Sequence, residues 1–123
     1  MNNRKILLSG AVFMALGVLL GAFGAHALKT RLSPEMLLVY KTGVEYQFYH
    51  ALGLLLIGLI GSQIESKWIN RSAILIGIGI ILFSGSLYVL SLSEIKMIGA
   101  ITPVGGVSFV AGWISLAVGI WKK

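Results

Sequence analysis

The segment GAFGAHALKTR (residues 21–31) ends the first apolar stretch of the chain, and its role decides the fold. Its tripeptide AHA (25–27) has the small-residue pattern of a signal-peptidase site and follows a basic start at Arg4 and Lys5. The uncharged stretch before it covers residues 6–25, whereas the apolar region of a signal peptide has about 7 to 15 residues. The segment is therefore predicted to close a retained transmembrane helix.

The composition is typical of a membrane protein. Of the 123 residues, 57% are hydrophobic and 11% are charged, whereas a soluble domain has about 25% charged residues. The absence of cysteine excludes disulfides, thiolate metal sites and thiol redox chemistry. The net charge of +6 includes no long basic run, so no nucleic-acid partner is expected. The basic residues are instead expected to set the topology and to contact lipid head groups.

Four uncharged windows are long enough to cross a membrane: residues 6–25, 46–64, 72–93 and 97–121. About 20 apolar residues, each adding about 1.5 Å, span a hydrocarbon core about 30 Å thick. Lipid offers the backbone no hydrogen-bond partners, and no alternating strand pattern occurs, so each window is predicted to be helical. We therefore expect an all-α fold, a single transmembrane domain (1–123) in which a four-helix bundle has helices at approximately 6–27, 44–63, 70–92 and 103–121.

The connection between the first two predicted membrane helices carries its own helix-start signal. SPE (33–35) combines a serine cap, a proline in the first turn and an acidic residue. Because MLLVYK (36–41) is apolar and basic, we predict a short interfacial helix here, which turns into the second membrane helix at Thr42 and Gly43. Thr102 and Pro103 repeat the start signal for the fourth helix, after the apolar connector IKMIGAI (95–101).

Basic residues indicate the orientation of the chain, because four spans place both termini on one side of the membrane. The side of the termini holds six of them: Arg4, Lys5, Lys67, Arg71, Lys122 and Lys123. The opposite side holds four: Lys29, Arg31, Lys41 and Lys96. The positive-inside rule counts basic residues, so both termini of this multi-pass protein are predicted to be cytoplasmic, in the bacterial plasma (inner) membrane.

Small residues are predicted to hold the helices together, since lipid tails are as apolar as leucine and burial alone does not drive association. The first helix offers Gly17, Gly21 and Gly24. The fourth helix offers Gly105, Gly112 and Gly119 at steps of seven residues. The sequence leaves open whether these stripes pack helices within one chain or between subunits.

A candidate polar or ligand site is predicted toward the membrane face opposite to the termini, formed by His26, Glu45, Tyr46, His50 and Tyr88. His50 lies inside its span, where ionisable groups face the interior of a bundle or water. It is expected either to bond a neighbouring helix, through Tyr88 or Ser84, or to bind a proton, a metal or a haem iron. His26 lies nearer the interface and is expected to contact solvent or lipid head groups.

Four segments together resemble a known family. GAFGAHALK (21–29), TGVEYQFYHALGLLLIGL (42–59), FSGSLYVLSL (83–92) and ITPVGGVSFVAGWISLA (101–117) are similar to the signature segments of an uncharacterised family of small bacterial membrane proteins, a domain of unknown function typified by YwdK and YgdD. The resemblance covers nearly the whole chain. It implies a four-helix inner-membrane protein that keeps its first helix, and it assigns no activity or catalytic residue.

The main functional hypothesis is a structural, interaction or lipid-associated helical bundle that is not an enzyme. No cofactor and no metal are expected, because Asp is absent and Glu45 is the one acidic residue near either histidine. Expected partners are membrane lipids, with a second copy of the chain (a homo-oligomer) or a larger membrane protein as further candidates.

Two alternatives remain open at this stage. One is a small oligomeric transporter or channel with a polar site at His50 and Glu45, since ionisable groups inside membranes often mark such pathways. The other is a haem-binding membrane protein with His26 and His50 as the two ligands.

Overall fold

The computed structural model describes residues 2–122 and contains four long helices. Their bounds are α1, Asn3–Leu28; α2, Pro34–Gly61; α3, Lys67–Ser93; and α4, Thr102–Trp121. Each is long and apolar enough to cross a membrane, and residues 2–122 contain no strand. The predicted all-α class and the four membrane helices are confirmed. Lys123, counted above for the orientation, lies outside the described residues.

The predicted interfacial helix between the first two spans is wrong, because α2 begins at Pro34 and continues without a break through Thr42 and Gly43. The start signal itself is used: the Ser33 hydroxyl accepts a hydrogen bond from the Met36 N–H. At 28 residues, α2 is about 42 Å long and exceeds the hydrocarbon core, so its first turns extend beyond it. Lys41 and Glu45 are tolerated in this helix because both side chains are exposed.

The chain between α3 and α4 is a tight connector. Glu94 adopts the left-handed conformation (φ 56°) that ends α3, and Lys96–Ala100 forms a 3₁₀ helix. Thr102 does not cap α4 with its side chain. Its hydroxyl lies 2.6 Å from the Ser86 hydroxyl and hydrogen-bonds across to α3.

The helices pack in chain order, with α2 and α3 in the centre. Helix α1 packs mainly on α2, and α4 packs mainly on α3. The Trp68 ring lies 5.4 Å from Lys122 Nζ, and a Cβ on Gly61 would meet the Asn3 side chain. Both ends of the described chain and the α2–α3 loop therefore lie at one end of the bundle, which we call the terminal end; the other is the far end.

Four of the six predicted packing glycines lie where a neighbouring side chain leaves little room for a Cβ. In α1, a Cβ at Gly17 would lie 3.2 Å from the Phe48 ring and one at Gly24 would lie 2.9 Å from Tyr40 Cδ1. In α4, a Cβ at Gly112 would lie 2.8 Å from Ile76 Cδ1, and one at Gly119 would lie 3.0 Å from Ile69 Cγ1.

The other two glycines differ in their surroundings. Gly105 is pressed against the backbone of Phe83, with a Cβ only 2.7 Å from its Cα, whereas Gly21 has ordinary space, 3.4 Å from Val44. These glycines thus face helices of the same chain.

Two helices contain a turn of π-helix, in which the backbone bonds span five residues rather than four. One is Gly24–Leu28 at the end of α1, and the other is Ile80–Ser84 in the middle of α3. At the end of the second turn, the Ser84 hydroxyl donates a 2.7 Å bond to the Gly43 carbonyl of α2. This bond joins the two central helices near the far end.

Candidate functional site

The five predicted site residues do not form one cluster. His26 is exposed in the last turn of α1. Glu45 lines a groove of about 330 Å³ between α1 and α2, together with Lys29 and Lys41. His50 and Tyr46 line a different groove, between α2 and α4. The Tyr88 hydroxyl of α3 donates a hydrogen bond to Gln47 of α2.

His50 is 7% exposed and is held by its own helix. Its Nδ1 lies 2.7 Å from the Tyr46 carbonyl oxygen, one turn earlier. Its ring stacks on Phe109 of α4, with centroids 3.5 Å apart and planes 11° apart, and Trp113 lies 5.7 Å away. The predicted bond from His50 to Tyr88 or Ser84 is therefore wrong, because these residues bond other groups.

Gln47 is the residue at which three helices are joined. Its amide donates a 2.8 Å bond to the Phe13 carbonyl of α1, and its carbonyl oxygen accepts a 2.6 Å bond from the Tyr88 hydroxyl of α3. The candidate set above omits this residue. An uncharged amide within an apolar run is a signal for such a bond, but the sequence does not show which helices it joins.

Tyr40 makes a second link between α1 and α2. Its hydroxyl donates a 2.5 Å bond to the Leu20 carbonyl, and its ring packs 5.3 Å from the Tyr88 ring. The hydroxyl of Ser108 likewise donates to the Leu75 carbonyl, between α4 and α3. The polar groups between the helices are thus used for packing, which is how buried polar groups in lipid are normally satisfied.

A groove with aromatic walls lies between α2 and α4, and we call it the aromatic groove. Its volume is about 800 Å³, and it is open to the outside of the bundle. Its lining includes Tyr46, His50, Phe83, Phe109 and Trp113. The Tyr46 and Phe83 rings lie 4.6 Å apart and the Phe83 and Phe109 rings 5.4 Å apart, so the walls form a continuous aromatic surface.

The residues do not fit a haem held by two histidines. Gly24 of α1 faces Tyr40 of α2, so His26 lies beyond the level of Tyr40 toward the far end. His50 is ten residues from Tyr40 in the opposite direction, which separates the Cα atoms of the two histidines by at least about 15 Å along the axis. The His50 ring is stacked on Phe109 of α4, whereas His26 is exposed on α1. They cannot bind one iron. Among residues 2–122, no three His, Cys, Asp or Glu side chains come together as a metal site would require.

Comparisons with known proteins agree on one family. Residues 20–106 match the family model described as "Protein of unknown function (DUF423)". The chain is 46% identical to a UPF0382 membrane protein of Staphylococcus saprophyticus, covering 97% of this chain and 98% of that protein. It is 43% identical to the UPF0382 membrane protein YwdK of Bacillus subtilis, with 97% and 98% covered.

A more distant relative extends the same pattern. The UPF0382 inner membrane protein YgdD of Escherichia coli K12 is 40% identical, with 97% of this chain and 91% of that protein covered. No solved structure matches the chain. The relatives are membrane proteins by name, and their names state no reaction, substrate or partner.

Proposed function

This chain belongs to the DUF423 family of membrane proteins, and from that premise we propose that it is a lipid-associated helical bundle and not an enzyme. In this proposal the aromatic groove holds one lipid of the surrounding leaflet. The lipid lies along α2 and α4 and packs against the side chains that line the groove.

The shape and surroundings of the aromatic groove carry the proposal. It is apolar, its volume of about 800 Å³ lies within the usual range of ligand pockets, and it is open toward the hydrocarbon of the membrane. A groove in a span does not stay empty in a bilayer, because lipid chains fill it. The aromatic rings provide a large contact area for such a lipid.

Transport through His50 and Glu45 receives no support from their positions. The two side chains line separate grooves on different faces of α2, with Glu45 toward α1 and His50 toward α4. A proton path needs its ionisable groups to share a wet cavity. We therefore do not propose a transport function.

Filling the groove should remove the bound lipid. Gly106 lines the aromatic groove, and a Cβ there would lie 3.8 Å from the Phe83 ring, so a larger side chain enters the groove without a backbone clash. We expect Gly106→Leu to lower by at least fivefold the fraction of protein that retains a lipid in native mass spectrometry of detergent-released protein.

The matched control for this experiment is Gly85→Leu. Gly85 is also helical, and a Cβ there meets nothing within 4 Å, but it lies outside the aromatic groove. The control should keep the lipid, and both variants should keep the thermal midpoint of the parent within about 3 °C. Equal lipid retention by Gly106→Leu and the parent protein would contradict the proposal.

We also propose that the terminal end of the bundle faces the cytoplasm, following the excess of basic residues there. A C-terminal fusion to green fluorescent protein is then expected to fluoresce, and a C-terminal fusion to alkaline phosphatase to be inactive. A phosphatase fused after residue 31, in the α1–α2 loop, is the positive control. Activity of the C-terminal phosphatase fusion would reverse the orientation.

Further partners are proposed to approach within the bilayer. The loops between the helices are short, and α1 exposes apolar side chains such as Leu8, Val18 and Leu19 on the surface that no other helix covers. A second copy of the chain or a larger membrane protein fits this surface, because little of the chain extends into water.

A further inference from the structure

His50 is a buried polar side chain with one nitrogen left over. Its Nδ1 is engaged with the Tyr46 carbonyl, but its Nε2 has no hydrogen-bond partner in residues 2–122. This nitrogen is not sealed inside the protein, since Ser72 Oγ is the one fully enclosed side-chain polar atom of the described chain that lacks a partner. The His50 side chain lines the aromatic groove, so this groove is the space through which a ligand can approach Nε2.

The bond at Nδ1 determines what Nε2 can do. A carbonyl oxygen only accepts, so the proton of the neutral imidazole must be on Nδ1. Nε2 then carries a lone pair and accepts a hydrogen bond. The matching ligand group is a hydroxyl. The ester carbonyls of a phospholipid are acceptors and cannot satisfy it.

The position of His50 restricts the ligand further. It lies five residues beyond Glu45, the last charged residue before the span, which is about 7.5 Å deeper along the helix. A charged head group does not reach this depth, because it would leave water. The surrounding walls are aromatic. His50 itself covers one face of Phe109, whereas Trp113 is 37% exposed and provides ring surface against which a flat ring can pack.

We propose that the aromatic groove binds an isoprenoid quinol: a flat ring carrying hydroxyl groups, attached to an apolar tail. One ring hydroxyl donates to His50 Nε2, the ring packs among Phe83, Phe109 and Trp113, and the tail lies along α4 toward the hydrocarbon. The inference rests on the proposed function, since it names the kind of lipid that the same groove takes. It concerns binding and includes no electron transfer.

The test is equilibrium binding of a tritiated short-tailed benzoquinol to the full chain in nanodiscs, under anaerobic conditions, with empty nanodiscs as background. The competing ligands are the unlabelled quinol, its dimethyl ether and dioleoylglycerol. The ether keeps the ring and tail without a donor, and dioleoylglycerol brings a hydroxyl without a ring. We expect saturable binding, with the ether about tenfold weaker than the quinol, which is the weight of one hydrogen bond of about 1.4 kcal/mol. Dioleoylglycerol keeps the hydroxyl, so its affinity should be about tenfold lower because it lacks the ring and its aromatic contacts.

Two variants separate the nitrogen from the ring. His50→Phe keeps a flat ring on Phe109 but has no Nε2, so it should bind quinol about tenfold more weakly and no longer distinguish quinol from the ether. Tyr49→Phe removes a hydroxyl from the neighbouring residue, which is 57% exposed and lies outside the groove, and should bind as the parent does. Thermal midpoints of both variants verify that they are folded.

Each other result overturns the inference in a recognisable way. Equal affinity of the parent for quinol and ether, or for quinol and dioleoylglycerol, refutes the quinol but leaves a lipid groove. If the parent shows no saturable quinol binding but Gly106→Leu still loses a bound phospholipid, the quinol is again refuted and the lipid groove remains. Cross-linking between two copies through Trp113 would identify a second chain as the occupant, and then both the inference and the proposed function fail.

Discussion

Replacing Gly105 by alanine is expected to destabilise the bundle by about 3 kcal/mol, the upper end of the usual cost of overpacking. A Cβ at this position would overlap the backbone nitrogen of Phe83 and lie 2.7 Å from its Cα. Backbone atoms in a helix cannot turn aside as a side chain does, so α4 must move away from α3. The measurement is the thermal midpoint and folded yield of the purified protein in detergent.

The neighbouring residue provides the control for this experiment. At Gly106, a Cβ would lie 3.8 Å from the Phe83 ring, which is ordinary contact. Alanine favours a helix over glycine by about 1 kcal/mol, so Gly106→Ala should leave the midpoint unchanged or raise it. If the two variants melt at the same temperature, the close approach of α4 to α3 at Gly105 is not present in the protein.

Gln47→Leu is expected to cost about 2 kcal/mol of stability, because it removes two bonds that join three helices. Hydrogen bonds between membrane helices contribute about 0.6 kcal/mol on average and up to about 1.7 kcal/mol. The substitution also leaves the Tyr88 hydroxyl and the Phe13 carbonyl without their partners. Reversible unfolding in mixed detergent measures the change, and Gln63→Leu, at an exposed position, should change stability by less than about 0.5 kcal/mol.

A double-mutant cycle assigns the loss to the proposed contact. Tyr88→Phe alone breaks the bond to Gln47, but in the Gln47→Leu background it removes a hydroxyl that is already unpaired. The second substitution should therefore cost at least about 1 kcal/mol less in that background than in the parent protein. Strict additivity of the two variants would mean that the hydroxyl and the amide do not interact.

The fold follows from local features of the sequence to a large extent. Charge-free windows predict the four spans because every charged side chain in lipid is costly, and this cost acts on each residue independently of its neighbours. The small-residue stripe Gly105, Gly112 and Gly119 predicts a contact face for a similar reason: residues seven apart share one side of a helix. The second membrane helix predicted from the charge-free windows starts too late, at residue 44, whereas α2 begins at Pro34. The reason is that Lys41 and Glu45 can extend out of the hydrocarbon core on a long helix.

The site depends on pairs of residues far apart in the chain, and these were not predictable. One of the two predictions for His50 is a bond to Tyr88 or Ser84. In the structure the Tyr88 hydroxyl bonds Gln47, the Ser84 hydroxyl bonds the Gly43 carbonyl, and the His50 ring stacks on Phe109. Which of two polar residues three positions apart faces α3 and which faces α4 depends on the rotation of α2. That rotation is set by packing along the whole helix, so the local sequence around Gln47 and His50 does not predict it.

The π-turn at Ile80–Ser84 divides α3 into two registers. A turn closed by bonds five residues apart holds one residue more than an α-turn, so everything after it is rotated by about 100° relative to an uninterrupted helix. The half before the turn presents Ile69 and Ile76 to α4, and the half after it presents Tyr88 to α2. Deleting one residue within this turn would let both halves keep their partners, whereas the same deletion one turn earlier or later would turn one half toward lipid.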